Sequence, residues 1–122
     1  MRIIKIRDKF VDQRGLIANI FPSGVHIRSI LYITGIAGAV RGNHYHIKDE
    51  HYCYSVEGSI EYGWINEDGE RQTTVLEPGD MVHTPAGEKH QFIFLTAGAF
   101  IAMATESREQ AQYEEDTIRE LF

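Results

Sequence analysis

Four of the six histidines fall where their rings can act together. His44 and His46 sit one residue apart in the run "AVRGNHYH", so on a strand both imidazoles point to one face and Tyr45 to the other. His51 opens the next apolar run, "HYCYSVE", and His90 opens a later one, "HQFIFL". Neutral ring nitrogens converging in a cavity suit one divalent transition ion, Zn, Ni, Fe or Mn. They also suit proton transfer, because imidazole gains and loses its proton near neutral pH. Cys53 is the single cysteine, which argues against a closed thiolate zinc site and leaves no partner for an internal disulfide.

These rings need strands to hold them, and the sequence supplies strands almost throughout. "RIIKI" near the start is short and β-branched, and "LIANIF" follows the turn "DQRG". "IRSILYIT" ends at a Gly-rich connection that leads into the histidines, and the loop "IKDE" separates His46 from His51. Gly58 turns the chain into "SIEYGWI", and "NEDG" carries the Asp-Gly pair of a tight hairpin before "RQTTVL". After "EPGD" come "MVHT", the loop "PAGEK", "HQFIFL" and "AFIAMAT". About ten short strands with period-two alternation and Gly or Pro between them predict an all-β antiparallel sandwich or barrel. The last stretch, "ESREQAQYEEDTIRELF", has room for a helix whose Tyr113, Ile118, Leu121 and Phe122 cover a barrel end or a partner subunit.

The 122 residues predict a single domain over 1–122, with 43% hydrophobic and 25% charged residues as in ordinary globular proteins. A net charge of −6 disfavours nucleic acid and anionic membrane surfaces, so a small molecule is the expected ligand. "MRIIKIRDKF" places charges where a signal peptide needs an apolar run, and "AGAFIAMAT" is far too short to span a bilayer. The expected location is the cytoplasm.

Two segments together resemble the motifs of the cupin superfamily. The first motif is a Gly, five residues, His-x-His, three or four residues, Glu, six residues, Gly. Here Gly38, His44 and His46 match, and Gly58 closes it. In the second, Gly79, Pro85, Gly87 and His90 match position for position until the last residue, where Phe94 replaces Asn. The resemblance implies a double-stranded β-helix, or jelly-roll barrel, with metal ligands at His44, His46 and His90. The fourth ligand departs from the pattern. Counting back from Gly58 lands on His51, and counting forward from His46 lands on Glu50. Neighbours on a strand point to opposite faces, so only one of them faces inward; the Gly58 turn favours His51, and a loop that turns Glu50 inward would restore the usual carboxylate.

"DQRGLIANIF", "VRGNHYH" and the ending "EEDTIRELF" further resemble the small cupins of nucleotide-sugar metabolism: 3,5-epimerases, 3,4-ketoisomerases and the cupin domains of capsular-polysaccharide sugar reductases. That likeness implies isomerisation or epimerisation of a sugar or related carbonyl compound, with His44 and His46 as catalytic residues. An iron-dependent dioxygenase and a small-ligand-binding module without catalysis are the competing readings. Arg41 is a candidate phosphate or carboxylate clamp, and His83 and Glu50 are candidate substrate or supporting residues. Exposed barrel edges, the strand "RIIKI" and the tail predict a homodimer.

Overall fold

The computed structural model describes residues 3–106 and 117–119. Strands dominate them, and there is no helix among the described residues. One five-stranded sheet runs β1 (Ile3–Ile4), β9 (Met81–Thr84), β6 (His51–Glu57), β11 (Gly98–Ala104) and β4 (Ser29–Gly35). The other runs β12 (Thr117–Arg119), β5 (Val40–His46), β10 (His90–Phe94), β7 (Ile60–Ile65) and β8 (Arg71–Leu76). β2 (Lys9–Asp12) and β3 (Gly15–Ala18) form a separate hairpin. Pairing is antiparallel throughout, and non-consecutive strands lie side by side, as in a jelly roll.

Alternation along the strands builds the core. Phe92 and Phe94 on β10 point inward and meet Phe100 of the opposite sheet, with the Phe92 and Phe100 rings stacked at 4.6 Å. Tyr62 packs on Phe92 at 5.0 Å, and Ile60, Leu76 and Val82 fill the space around them. Burying each such side chain contributes about 1.5–3 kcal/mol. This apolar mass occupies one part of the barrel, and the histidines line the other.

The expected strands are present, with two additions. "KFVD" pairs with β3 across the "DQRG" turn, and residues 117–119 pair with β5 as β12. A helix was expected somewhere in the tail; its described part, 117–119, is strand, and Tyr113, Leu121 and Phe122 lie outside the described residues. No helix among the described residues is long and apolar enough to cross a membrane.

Candidate active site

The site begins with an irregularity in β5. Arg41 pairs with Phe92 and Gly42 with Gln91, but His44 pairs with His90, so one extra residue, Asn43, interrupts the alternation. Directly opposed residues share a face. Arg41 therefore points to the same side as the core residue Phe92, and His44 to the same side as His90. Gly42 permits the kink with φ +99°, and a Cβ there would stand 2.9 Å from the His90 carbonyl oxygen.

A cavity of about 410 Å³ opens between β4 and β5, and His44, His51 and His90 line it. Arg41, Tyr32 and Thr34 also line it, and the Arg41 and Tyr32 side chains are exposed at its mouth. Arg41 donates from Nη2 to the Thr34 carbonyl at 2.9 Å, which fixes the guanidinium and leaves other N–H groups for a ligand. The ring of His46 lies 4.6 Å from that of His44 and 4.9 Å from that of His51. His46 is only 2% exposed and set back behind them. Ligand atoms of His44, His46 and His90 lie within 4.8 Å of one another, and so do those of His46, Asp49 and His51.

Asp49 is the residue that the sequence reading missed. It is 3% exposed, and its Oδ2 lies 2.8 Å from Nε2 of His51. Its Oδ1 accepts from Thr105 N at 3.1 Å, Thr105 Oγ1 at 3.3 Å and Glu106 N at 3.1 Å. Burial raises the carboxyl pKa, but the hydrogen bond and charge of His51, the Glu106 amide and the charge of His46 outweigh it, and the net shift is downward. Asp49 is thus an anion that can only accept. His51 must hold its proton on Nε2, which leaves the lone pair on Nδ1. One signal was available: Asp49 and His51 are two apart and share parity, although the loop reading of "IKDE" concealed it.

His90 is held differently. Its Nδ1 donates to the Glu88 carbonyl at 3.1 Å, so Nε2 carries the lone pair. Burial, then the charges of His44, His51 and His46, lower its pKa to about 3 against the opposing effect of that hydrogen bond. The ring is neutral at any physiological pH. Tyr62, stacked on His90 at 6.3 Å, is anchored by Thr84 at 3.0 Å and by the Glu88 carboxylate at 2.9 Å. Cys53 lines the cavity, but burial and the charge of Asp49 raise its pKa and keep it a neutral thiol.

Of the residues singled out from the sequence, His44, His46, His51, His90 and Arg41 gather at this cavity. Glu50 and His83 do not. Glu50 precedes His51 and so points to the opposite face, where it bonds His83 Nε2 at 2.7 Å. His83 stacks there on Tyr52 at 4.6 Å, away from the cavity. The carboxylate beside His51 comes from Asp49, one residue earlier than the alternative weighed from the motif.

Residues 33–105 match the family model of the cupin domain. The chain belongs to the cupin family. No curated protein sequence matches it. Among solved structures it is similar to a 3,4-ketoisomerase from Helicobacter canadensis, with a TM-score of 0.83 and 19% identity over 98% of this chain and 90% of that one. It is similar to a mutant of the 3,4-ketoisomerase QdtA from Thermoanaerobacterium thermosaccharolyticum in complex with TDP-4-keto-6-deoxyglucose. That match has a TM-score of 0.78 and 20% identity, covering 96% of this chain and 85% of that one. A dTDP-4-dehydrorhamnose 3,5-epimerase from Sulfolobus tokodaii gives 0.77 and 22% over 90% and 72%. At such identities the likeness is one of fold.

The cupin family implies a metal, and the donors here fit one. His44, His46 and His90 offer three nitrogens in one cluster, and His90 is neutral with Nε2 as its accepting nitrogen. A backbone carbonyl that fixes the far nitrogen is the usual support of a ligating imidazole.

Proposed function

We propose that this cupin isomerises or epimerises a nucleotide-linked keto-sugar by moving a proton at the carbon beside the carbonyl. The observation that carries the reading is the His51–Asp49 pair facing an open cavity. An imidazole base with a buried anion behind it is suited to removal of a weakly acidic C–H. The cavity is not filled by side chains, which favours a ligand-binding site over a purely structural barrel. Several structures of this fold are ketoisomerases or epimerases of such sugars, and one holds TDP-4-keto-6-deoxyglucose.

In this reading Nδ1 of His51 takes the proton from the carbon next to the ketone, and the Asp49 carboxylate faces the imidazolium that forms. The ketone oxygen gains a proton as an enediol develops. His44, on the same cavity wall, is the donor to that oxygen. For ketoisomerisation the adjacent hydroxyl then gives its proton to His44, restoring that donor, and the former carbonyl carbon takes the proton back from the His51 imidazolium. Epimerisation results instead when the original carbon takes a proton from solvent on its other face and the enediol hydroxyl returns its proton to His44. His46 supports the rings of His44 and His51 from behind, rather than touching substrate. Were a divalent ion held by His44, His46 and His90, it would supply Lewis acidity at the carbonyl oxygen in place of the His44 proton. Arg41 and Tyr32 at the mouth suit a diphosphate and a base that stacks on an aromatic ring.

The test is incubation with 4-keto-6-deoxy nucleotide sugars in deuterated water. Deuterium should appear at a carbon beside the carbonyl by NMR, and His51→Ala and His44→Ala should abolish it. Absence of exchange with every keto-sugar offered would refute the reading. One observation favours a second reading: His46, Asp49 and His51 form a two-histidine, one-carboxylate set of the kind that serves iron oxygenases. Oxygen uptake by the iron-loaded protein with candidate substrates would support it.

A further inference from the structure

Thr105, just past the end of β11, makes hydrogen bonds that its backbone alone cannot provide. Its Oγ1 accepts from the Glu50 amide at 3.0 Å and donates to Asp49 Oδ1 at 3.3 Å. Its amide lies 3.1 Å from both Asp49 Oδ1 and the Glu50 carbonyl oxygen. A single hydroxyl therefore clips the segment 49–50 to the end of β11, where Ala104 pairs with His51. A hydroxyl can donate and accept at one and the same atom, as Oγ1 does here.

The clip sets the orientation of a carboxylate. Three donors converge on Oδ1 of Asp49, which leaves Oδ2 as the oxygen that meets His51. If the carboxylate rotates, His51 loses the partner that keeps its proton on Nε2, and its lone pair is shared between two nitrogens. Resting on the keto-sugar reading above, we propose that Thr105 is a positioning residue: it holds Asp49 so that His51 presents Nδ1 as the base. Thr105 never touches substrate.

The prediction is read first in the imidazole nitrogen spectrum of the purified protein. The wild type should show His51 with a protonated Nε2 and an unprotonated Nδ1. Thr105→Val should move the two resonances toward each other as the tautomers mix, and Thr105→Ser should restore the wild-type pattern. In kinetics, Thr105→Val should lose about tenfold in kcat, the size of one hydrogen bond to a charged group, with KM little changed. If the valine variant does not fold, Thr105→Ala removes the same hydroxyl and carries the comparison. Unchanged His51 shifts in the folded variant would overturn the proposal. Shifts as expected, with no deuterium exchange in the wild type, would sink the keto-sugar reading and leave the positioning role standing.

Discussion

Arg41 and His44 line one cavity although they stand three residues apart on a single strand. Strict alternation sends residues three apart to opposite faces. The extra residue at Asn43 corrects the parity, and the positive φ of Gly42 makes room for it against the His90 carbonyl. The sequence "RGNH" therefore places a guanidinium at the mouth and an imidazole further in.

Gly42→Ala should then cost both stability and ligand binding. A side chain at φ +99° with its Cβ 2.9 Å from a carbonyl oxygen carries strain of about 1–3 kcal/mol. Urea unfolding should show that loss, and calorimetry should show weaker binding of TDP, because Arg41 and His44 no longer share a face. Wild-type stability in the alanine variant would disprove the account of the bulge.

Arg41→Ala should weaken TDP binding by about tenfold or more and flatten its dependence on salt, as loss of a charge-assisted contact does. Arg41→Lys should recover only part, since an ammonium cannot reproduce the forked geometry. The measurement is titration at two ionic strengths. Equal affinities for wild type and alanine would remove Arg41 from the ligand site.

The fold was legible in the sequence because turn residues and period-two runs follow one another with few interruptions. The parity of His44 and His46 and the closing Gly58 turn also put His51, rather than Glu50, on the inner face, as the structure has it. What parity could not reveal was its own violation. Arg41 was singled out for its charge, and nothing in "VRGNH" announced the bulge that turns it inward. Asp49 escaped for another reason: it lies in a segment with loop composition, and its donors come from Thr105 and Glu106, far along the chain. His83 is a candidate supporting residue by type alone, and the parity of its strand decides against it, because it alternates with Val82 and Thr84, whose side chains fill the interior.

Metal binding should depend on the histidines and not on Glu50. Elemental analysis of the purified protein is expected to show up to one divalent transition ion per chain, lost in His46→Ala or His90→Ala. His51→Ala should leave affinity little changed, since that ring is held by Asp49 and lies outside the His44, His46 and His90 set, and Glu50→Gln, whose carboxyl bonds His83 on the far face, should leave it unchanged. Protein that stays metal-free when offered Zn, Ni, Fe and Mn would refute the metal site.

The chain should be a homodimer. Phe10 faces Ile17 and Val11 faces Leu16 across the β2 and β3 hairpin, and all four are exposed, Ile17 by 74%. A two-stranded hairpin with apolar side chains bare on both faces is marginal in water, and a two-fold copy is the commonest cover. Light scattering at micromolar concentration should give twice the chain mass, and Ile17→Lys should lower it. A monomer in the wild type would count against this assembly.

Acid should destabilise the metal-free protein well above the range where carboxylates titrate. His90 titrates near 6.5 when unfolded and at about 3 when folded, so between those values the unfolded chain binds a proton that the folded chain does not. Its contribution is complete above pH 6.5 and is lost as pH falls toward 3, at about 1.4 kcal/mol per pH unit and on the order of 5 kcal/mol in all. Asp49 has the same sign but acts lower, because its folded pKa is depressed from 3.8 and its contribution fades only below that value. The slope near pH 5 therefore reports His90 and not Asp49. Urea unfolding in chelator from pH 7 to 4.5 should show falling stability in the wild type and a slope smaller by about one proton in His90→Gln. Equal slopes in the two proteins would mean that His90 is not held neutral by its burial.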